Sequence, residues 1–287
     1  MPVKSILFSL MFAAVVLWPV AGHADGGLIH WGVTDDPPFH IVSGPDVDTG
    51  YSDMSRRFFA KRLTEYDHRK VRLTLARLME NARHGENYCY CNLLRTPERD
   101  KLFYFSDITA IAPGARLYVR QGSPILDLAR DGEIGLEALL RSGRYVGVAE
   151  IDRFFGPNVQ ELFRTYNSSM LRLVTADVEQ KCRMVHSRRV DFFIEYPFVL
   201  GHYVKIAGKK QGLVPIRIAE HDPYVFSHVA CTKTDFGKRV IKRINEELRV
   251  AKGTDAYRFL FDMPARDLGE VSRREYAKLY DKFMKMN

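Results

Sequence analysis

The chain has 287 residues, of which 46% are hydrophobic and 27% are charged, and its formal net charge is +8. This composition is typical of a globular protein and excludes a collagen-like, low-complexity or largely disordered chain. The excess of cations would favour nucleic acid as a partner in a cytoplasmic protein, but the first segment of the chain argues against that location.

The N-terminal segment has the features of a cleaved signal peptide. Lys4 provides a positive charge, an apolar run covers 6–18, and a small-x-small exit ends at Ala24. The apolar run is shorter than the roughly 20 residues that a membrane-spanning helix needs. We therefore predict a signal peptide over 1–24 and a soluble periplasmic protein over 25–287, with no nucleic-acid partner.

Strands and helices alternate along the next hundred residues. Apolar runs between turn residues predict strands, and apolar residues three and four apart predict helices. The predicted strands cover 28–34, 71–75, 88–93 and 102–106, and the predicted helices cover 52–63 and 76–84. Such alternation is typical of a parallel sheet with helices on its faces.

A second alternating unit begins with a strand predicted at 115–119. Its other predicted strands cover 145–149, 171–174 and 190–194, and its predicted helices cover 136–140, 158–166 and 178–186. A strand at 225–231 and a long amphipathic helix from Thr234 follow. The tail 272–286 is predicted to be a helix that docks its apolar side onto the protein. That side consists of Tyr276, Leu279, Tyr280 and Phe283.

Four segments carry a resemblance to a known family. They are Trp31 to Phe39, Thr96-Pro97-Glu98-Arg99 followed by Phe105-Ser106, Arg189-Val190-Asp191, and Cys231 to Gly237 before a helix. In this order the segments resemble the periplasmic solute-binding proteins of the amino-acid type, family 3. The resemblance implies an α/β fold of the two-lobed type II periplasmic-binding kind, with a mixed, mostly parallel sheet flanked by helices in each lobe.

The resemblance also implies how the chain divides into lobes. Lobe 1 would be discontinuous, formed by 25–117 together with 215–287, and lobe 2 would cover 118–214. Two crossing segments, near 115–120 and 208–218, would form the hinge. Ligands of open α/β sheets bind beyond the carboxyl ends of the strands, so polar residues that directly follow strands are expected to face the cleft.

Arg99 is the predicted anchor for the ligand. In the family, the arginine of the Thr-x-x-Arg element binds the α-carboxylate of the ligand. A guanidinium can make two parallel hydrogen bonds to a carboxylate and stays charged when the cleft closes. Asn92 matches a loop position that contacts the ligand, and Asp35 also follows a predicted strand. Thr96 either helps to hold this loop or simply forms a turn.

The residues expected on lobe 2 depart from the family pattern. Where the family often has a Gly-Thr-Thr-like turn, this chain has Glu150-Ile151-Asp152-Arg153. The acids Glu150 and Asp152 would repel a carboxylate unless Arg153 offsets them. The family's aspartate for the ligand ammonium corresponds to Tyr196, with Glu195 one position before it. We therefore predict a small polar ligand, anionic or amino-acid-like.

Aromatic residues could form a stacking wall beside this ligand. Phe39, Trp31 and Tyr196 are the candidates, because each lies in or next to a strand expected to reach the cleft. An aromatic residue in a strand more often belongs to the core. The histidines are scattered without the spacing of metal ligands, so we assign them structural roles.

The cysteines are Cys89, Cys91, Cys182 and Cys231. An even number in an exported protein favours disulfides. Cys89 and Cys91 lie two apart in a predicted strand, so they share a face and are poorly placed to bond each other. The preferred bridge joins one of them to Cys231, which the resemblance puts in the same lobe. No His or Cys cluster completes a metal site around the C-x-C pair, so no metal or cofactor is predicted.

The resulting prediction is a monomeric, non-catalytic periplasmic protein. It would close on a small solute and deliver it to an inner-membrane ABC permease. One alternative is a sensory module of the same fold that acts on a membrane partner. A second alternative is an enzyme similar to cyclohexadienyl dehydratase, with Glu150, Asp152 and Glu195 as candidate general acids.

Overall fold

The computed structural model describes residues 27–151, 153–166, 170–208, 212–268 and 270–286. The predicted signal peptide and Asp152 lie outside these residues. Within the described ranges, no helix is both long enough and apolar enough to cross a membrane.

The described chain alternates strands and helices over most of its length. The strands are β1 (Leu28–Val33), β2 (Asp67–Arg72), β3 (Tyr88–Leu94), β4 (Phe103–Phe105), β5 (Ala110–Pro113), β6 (Arg116–Arg120), β7 (Glu133–Ile134), β8 (Gly147–Glu150), β9 (Leu171–Val174), β10 (Phe192–Glu195), β11 (Leu213–Ile218) and β12 (Tyr224–Thr232). The α-helices are α1 (Tyr51–Ala60), α2 (Leu75–Arg83), α3 (Pro97–Asp100), α4 (Leu136–Arg141), α5 (Pro157–Tyr166), α6 (Val178–His186), α7 (Pro197–Ala207), α8 (Asp235–Ala251), α9 (Asp255–Asp262) and α10 (Glu270–Met284). Short 3₁₀ helices cover Pro124–Leu128 and Pro264–Asp267.

The strands form two mixed sheets, and each sheet is the centre of one lobe. Sheet 1, in lobe 1, has the order β2-β1-β3-β12-β4, and β5 also pairs with β12. Sheet 2, in lobe 2, has the order β7-β11-β6-β10-β8-β9. The predicted two-lobed α/β fold is confirmed. Sheet 1 contains more antiparallel pairing than predicted, because β12 returns from the far end of the chain and runs antiparallel to β3, β4 and β5.

The chain crosses between the lobes twice, from β5 to β6 and from β11 to β12. The backbone N–H of Gly114 in the first crossing donates to the carbonyl of Pro223 in the second, at 2.8 Å. The N–H of Ala115 lies 3.4 Å from Nε2 of His221. The two crossings therefore run side by side. The second crossing follows β11, which pairs within sheet 2 along its whole length.

The strand predicted at 71–75 is shifted in the structure. The observed strand β2 ends at Arg72, and Thr74 begins α2 by accepting a hydrogen bond from the N–H of Arg77 at 3.2 Å. Most β2 side chains are exposed, because β2 is the edge strand of sheet 1. An exposed edge strand needs no apolar alternation, so the sequence carried no signal for its first residues.

One disulfide joins the two strands at the middle of sheet 1. Cys89 of β3 lies directly opposite Cys231 of β12, and their sulfur atoms are bonded. The predicted pairing of Cys231 with one member of the C-x-C pair is therefore confirmed. The other member, Cys91, is a buried free thiol.

The C-terminal helix α10 packs onto lobe 1. Tyr276, Leu279 and Phe283 are each at most 1% exposed. The Tyr276 hydroxyl donates to the carbonyl of Phe261 in α9 at 2.7 Å, and the Phe283 ring stacks on Tyr257. The predicted docking of the tail is confirmed, and α10 packs against β5 and against α9, which the sequence did not predict.

Candidate functional site

Side chains of the two lobes meet across the cleft between the sheets. The guanidinium of Arg153, in lobe 2, donates to a carboxylate oxygen of Asp36, in lobe 1, at 3.0 Å. The Phe198 ring of lobe 2 lies 5.6 Å from the ring of Phe39 and 6.2 Å from that of Tyr51, both in lobe 1. The two lobes are therefore in contact in this structure.

Arg99 lies on the lobe 1 side of this cleft. Thr96 caps α3 by accepting a hydrogen bond from the N–H of Arg99 at 3.2 Å, and this cap sets the direction of the short helix. The guanidinium donates to the carbonyl of Leu94 at 2.7 Å. The Arg99 side chain is largely withdrawn from solvent, and this desolvation lowers its pKa, although the nearby phenols of Tyr90 and Tyr196 act in the opposite direction.

Arg99 differs from the nearby Arg95 in its electrostatic partners. Arg95, four residues earlier, forms an ion pair with Asp100 at 2.7 Å, and its side chain is 59% exposed. No carboxylate among the described residues forms an ion pair with Arg99. A largely desolvated cation without an ion-pair partner is costly, so the binding of an anion beside it is favourable.

A buried ionic network lies on the lobe 2 side of the cleft. Glu195 is fully buried, and one of its carboxylate oxygens lies 2.8 Å from Nζ of Lys181. Its other oxygen accepts from the backbone N–H of Tyr196 at 2.8 Å and lies 3.5 Å from Nε of Arg153. Although burial opposes ionisation, the charges of Arg153 and Lys181 hold the pKa of Glu195 below its ordinary value.

Glu150 is the second acid of this network and behaves differently. Its carboxylate lies 3.4 Å from Nζ of Lys181, a long contact. Burial raises the pKa of Glu150 despite the opposing charges of Lys181 and Arg153. Glu150 is therefore the described acid at the cleft that most readily holds a proton.

Aromatic rings cover the space around Arg153. Its guanidinium lies 5.8 Å from the centre of the Phe39 ring. The Tyr196 ring stacks between Phe155 and Phe198, at 5.5 Å from each, and its hydroxyl donates to the carbonyl of Phe154 at 2.6 Å. Phe39 and Tyr196 thus lie at the cleft in an aromatic cluster shared by both lobes.

Other predicted site residues lie elsewhere. Asp35 forms an exposed ion pair with Arg72 of β2 at 2.9 Å. Asn92 has a positive φ of 58°, and its amide donates to the Ser52 hydroxyl at 3.2 Å, so it points to α1. Trp31 is 1% exposed and belongs to the core of lobe 1. The structure thus brings together Arg99, Thr96, Phe39, Glu150, Arg153, Glu195 and Tyr196.

Several residues at the cleft were not predicted from the sequence, among them Asp36, Phe198 and Lys181. Asp36 is adjacent to the predicted Asp35, and the pattern gave no reason to prefer one over the other. Phe198 lies in α7, which was not predicted at all. Lys181 had a usable signal, because it falls on the same face of α6 as the buried Cys182 and Val185. A lysine on the apolar face of a helix requires a buried acid nearby.

Comparisons with known proteins match the fold and not the sequence. No family model matches the chain, and no curated protein matches it. The substrate-binding protein of an amino acid ABC transporter has a TM-score of 0.58 and 20% identity, covering 83% of this chain and 98% of that chain. A histidine kinase sensor domain with similarity to periplasmic binding proteins has a TM-score of 0.61 and 16% identity, covering 85% and 96%.

A third solved structure is also similar over most of its length. It is the ancestral amino-acid-binding protein AncCDT-1, a precursor of cyclohexadienyl dehydratase, with a TM-score of 0.60 and 19% identity, covering 83% of this chain and 94% of that chain. The fold is therefore that of the two-lobed periplasmic binding proteins. At these identities the likeness establishes the architecture of this chain, and its ligand must be argued from its own residues.

Proposed function

We propose that this protein is a periplasmic solute-binding protein that closes on a small anionic ligand and delivers it to an inner-membrane ABC permease. The ligand would lie between the lobes with its carboxylate on Arg99. The protein would act as a monomer after removal of its signal peptide. The hinge would be formed by the two adjacent crossings between the sheets.

The observation that carries this proposal is the environment of Arg99. Its guanidinium is largely desolvated, lies at the cleft where it acts on Tyr196 of the other lobe, and forms no ion pair with a carboxylate among the described residues, although the charge of Glu98 acts on it from further away. The carbonyl of Leu94 uses one of its donors, which leaves others for a ligand. A ligand that contacts both lobes binds the closed form more tightly and thereby stabilises it.

The ligand can be found by thermal shift. The mature protein is screened against amino acids, small organic acids, amines and short peptides. A true ligand at a hundredfold excess over its dissociation constant stabilises the native state by about 2.7 kcal/mol. The ligands that shift the melting temperature are then titrated by calorimetry.

Substitution of Arg99 tests the anchor. Loss of one partner from a buried ion pair typically costs roughly 3–5 kcal/mol, so Arg99→Ala should weaken binding at least a hundredfold at about 1.4 kcal/mol per decade. Arg99→Lys should restore only part of the affinity, because an ammonium lacks the planar fork of donors.

Arg95→Ala is the matched control for this experiment. Arg95 carries the same charge four residues away but is exposed and paired with Asp100. Its removal should leave the affinity within about a factor of two, since exposed ion pairs are worth little. Equal affinities of Arg99→Ala and the unmodified protein would reject Arg99 as the anchor.

Two other functions are supported by specific observations. The likeness to a histidine kinase sensor domain supports a sensory role, which co-purification with a membrane kinase instead of a permease would favour. The raised pKa of Glu150 and the likeness to AncCDT-1 support a dehydratase-like enzyme. Turnover of prephenate or arogenate that is lost in Glu150→Gln would establish that role. Glu195 is less suited to donate a proton, because its two cationic partners keep it ionised.

A further inference from the structure

We propose that the cleft selects carboxylates that lack an amino group, because Arg153 and Lys181 occupy the acids that would otherwise bind a ligand ammonium. This inference rests on the proposed function and specifies its ligand class. An ammonium leaving water needs a carboxylate or several acceptors that are free to receive its donors. The described acids that act on Arg153 are Asp36, Glu150 and Glu195, while Glu98 of α3 lies next to Arg99 and is exposed to solvent.

Both carboxylate oxygens of Glu195 are already engaged within the protein. One oxygen receives Nζ of Lys181 at 2.8 Å, and the other receives the N–H of Tyr196 at 2.8 Å and faces Nε of Arg153 at 3.5 Å. The side chain is 0% exposed. A ligand ammonium could reach this carboxylate only by displacing Arg153.

Asp36 and Glu150 are also engaged by the protein's own cations. Asp36 accepts from the Arg153 guanidinium at 3.0 Å, across the cleft. Glu150 lies 3.4 Å from Nζ of Lys181, and burial already disfavours its charged form. The Arg153 side chain is only 13% exposed, so it holds the two lobes together from within the cleft.

The cations that remain at the cleft favour an anion without an attached positive charge. The guanidiniums of Arg99 and Arg153 both act on the phenol of Tyr196, one from each lobe. A ligand ammonium would enter a space flanked by these two cations, and like charges at close range repel. The Phe39 ring, which the Arg153 guanidinium approaches, offers an apolar surface for the rest of the ligand.

Matched pairs of ligands test this inference by calorimetry on the mature protein. The pairs are phenylalanine with 3-phenylpropionate, leucine with 4-methylpentanoate, and glutamate with glutarate. In each pair that binds, we expect the acid without the α-amino group to bind at least tenfold more tightly. Equal or tighter binding of the α-amino acids would overturn the inference.

Arg153 variants test the physical cause. Arg153→Ala frees Asp36 and removes one of the two cations facing Glu195, so an ammonium could take the place of the guanidinium. We expect the affinity ratio within a pair to move at least tenfold towards the amino acid. Arg153→Lys, which keeps a cation, should retain the preference of the unmodified protein. An unchanged ratio in a folded Arg153→Ala protein would overturn the inference.

Two further variants are controls for the Arg153→Ala experiment. One controls for unfolding of the variant, and the other controls for the loss of a positive charge elsewhere on lobe 2. Arg153→Gln removes the charge but keeps part of the side-chain volume and two N–H donors. It replaces Arg153→Ala if circular dichroism shows that protein to be unfolded. Arg164→Ala removes an exposed arginine of α5 that pairs with Glu161, and it should leave the ratio unchanged.

The same data separate the failure of this inference from that of the proposed function. A preference for amino acids that disappears in Arg99→Ala would leave the binding function standing and overturn the selectivity for acids. Absence of binding by both members of every pair would overturn the proposed function and this inference with it. Tight binding of the deaminated acids, lost in Arg99→Ala, would support both.

Discussion

At the scale of single residues, His40 is a charge-sensitive position in lobe 1. It is 1% exposed, and its Nδ1 lies 3.2 Å from the Thr34 hydroxyl and 3.4 Å from the Tyr90 hydroxyl. Burial, with a smaller contribution from Arg56, lowers its pKa to about 3. In the unfolded chain the same group titrates near its ordinary value of 6.5.

The sign of the resulting pH dependence follows from proton binding. Between pH 6.5 and about 3 the unfolded chain binds a proton at His40 that the native state does not. Stability is therefore lost as the pH falls through this range, by up to about 1.4 kcal/mol for each pH unit. Above pH 6.5 His40 is neutral in both states and contributes no slope.

We predict that His40→Gln flattens the dependence of stability on pH. The free energy of unfolding is measured in urea at several values between pH 4 and 7. As the pH is lowered, it should fall less steeply than in the unmodified protein, and the two slopes should differ by up to about 1.4 kcal/mol per pH unit, which corresponds to one bound proton. His84→Gln, at an exposed position of α2, should keep the original slope. Equal slopes for the unmodified protein and His40→Gln would show that His40 does not contribute to the loss of stability at low pH.

At the scale of secondary structure, most elements with a clear period or a bounded apolar run were predictable, while α7 and α9 were missed. The predicted bounds of β9 and α6 agree with the structure, because both show a clear period and have turn residues at their ends. Helix α7 was missed. Its sequence is apolar around most of its circumference, so it has no helical period, and Pro197 at its start also occurs in loops.

The disulfide between β3 and β12 joins residues that are distant in the chain. Cys89 and Cys231 are separated by 142 positions, so the bond closes a long loop in the unfolded state. Removal of a native disulfide from an exported domain typically costs about 2–5 kcal/mol, and longer loops lie towards the upper end.

We predict that the paired substitution Cys89→Ala with Cys231→Ala lowers the free energy of unfolding by about 2–5 kcal/mol. A reducing agent should lower the melting temperature of the unmodified protein and leave that of the double variant unchanged. Cys91→Ala, in the same strand, should remain sensitive to the reducing agent, because Cys91 is a free thiol. Insensitivity of the unmodified protein would show that the bond does not stabilise the fold.

At the scale of the whole molecule, the position of Arg99, the proposed anchor, was easier to predict than its surroundings. Arg99 could be identified because a short local motif carries it. The ion pair of Asp36 with Arg153 joins residues 117 positions apart in different lobes, so it exists only where the lobes meet. No periodicity or motif encodes a contact over such a separation. From the sequence, Arg153 could be named only as a cation that offsets the charges of Glu150 and Asp152.

The crossings between the lobes depend on the absence of a side chain at Gly114. A Cβ atom at this position would lie 2.2 Å from the carbonyl oxygen of Asp222 and 2.8 Å from Nδ1 of His221, both in the second crossing. These distances are well inside van der Waals contact, so any side chain must push the two crossings apart. The hydrogen bond from Gly114 to Pro223 would be lost as they separate.

We predict that Gly114→Ala destabilises the protein by about 1–3 kcal/mol, as overpacking at a constrained site typically does. Because the strain lies between the crossings, it should also change how the lobes meet, so the radius of gyration from small-angle X-ray scattering should differ from that of the unmodified protein. Gly253→Ala is the matched control, since a Cβ there meets no atom within 4 Å. If Gly114→Ala matches Gly253→Ala in both measurements, the close approach of the two crossings does not constrain the hinge.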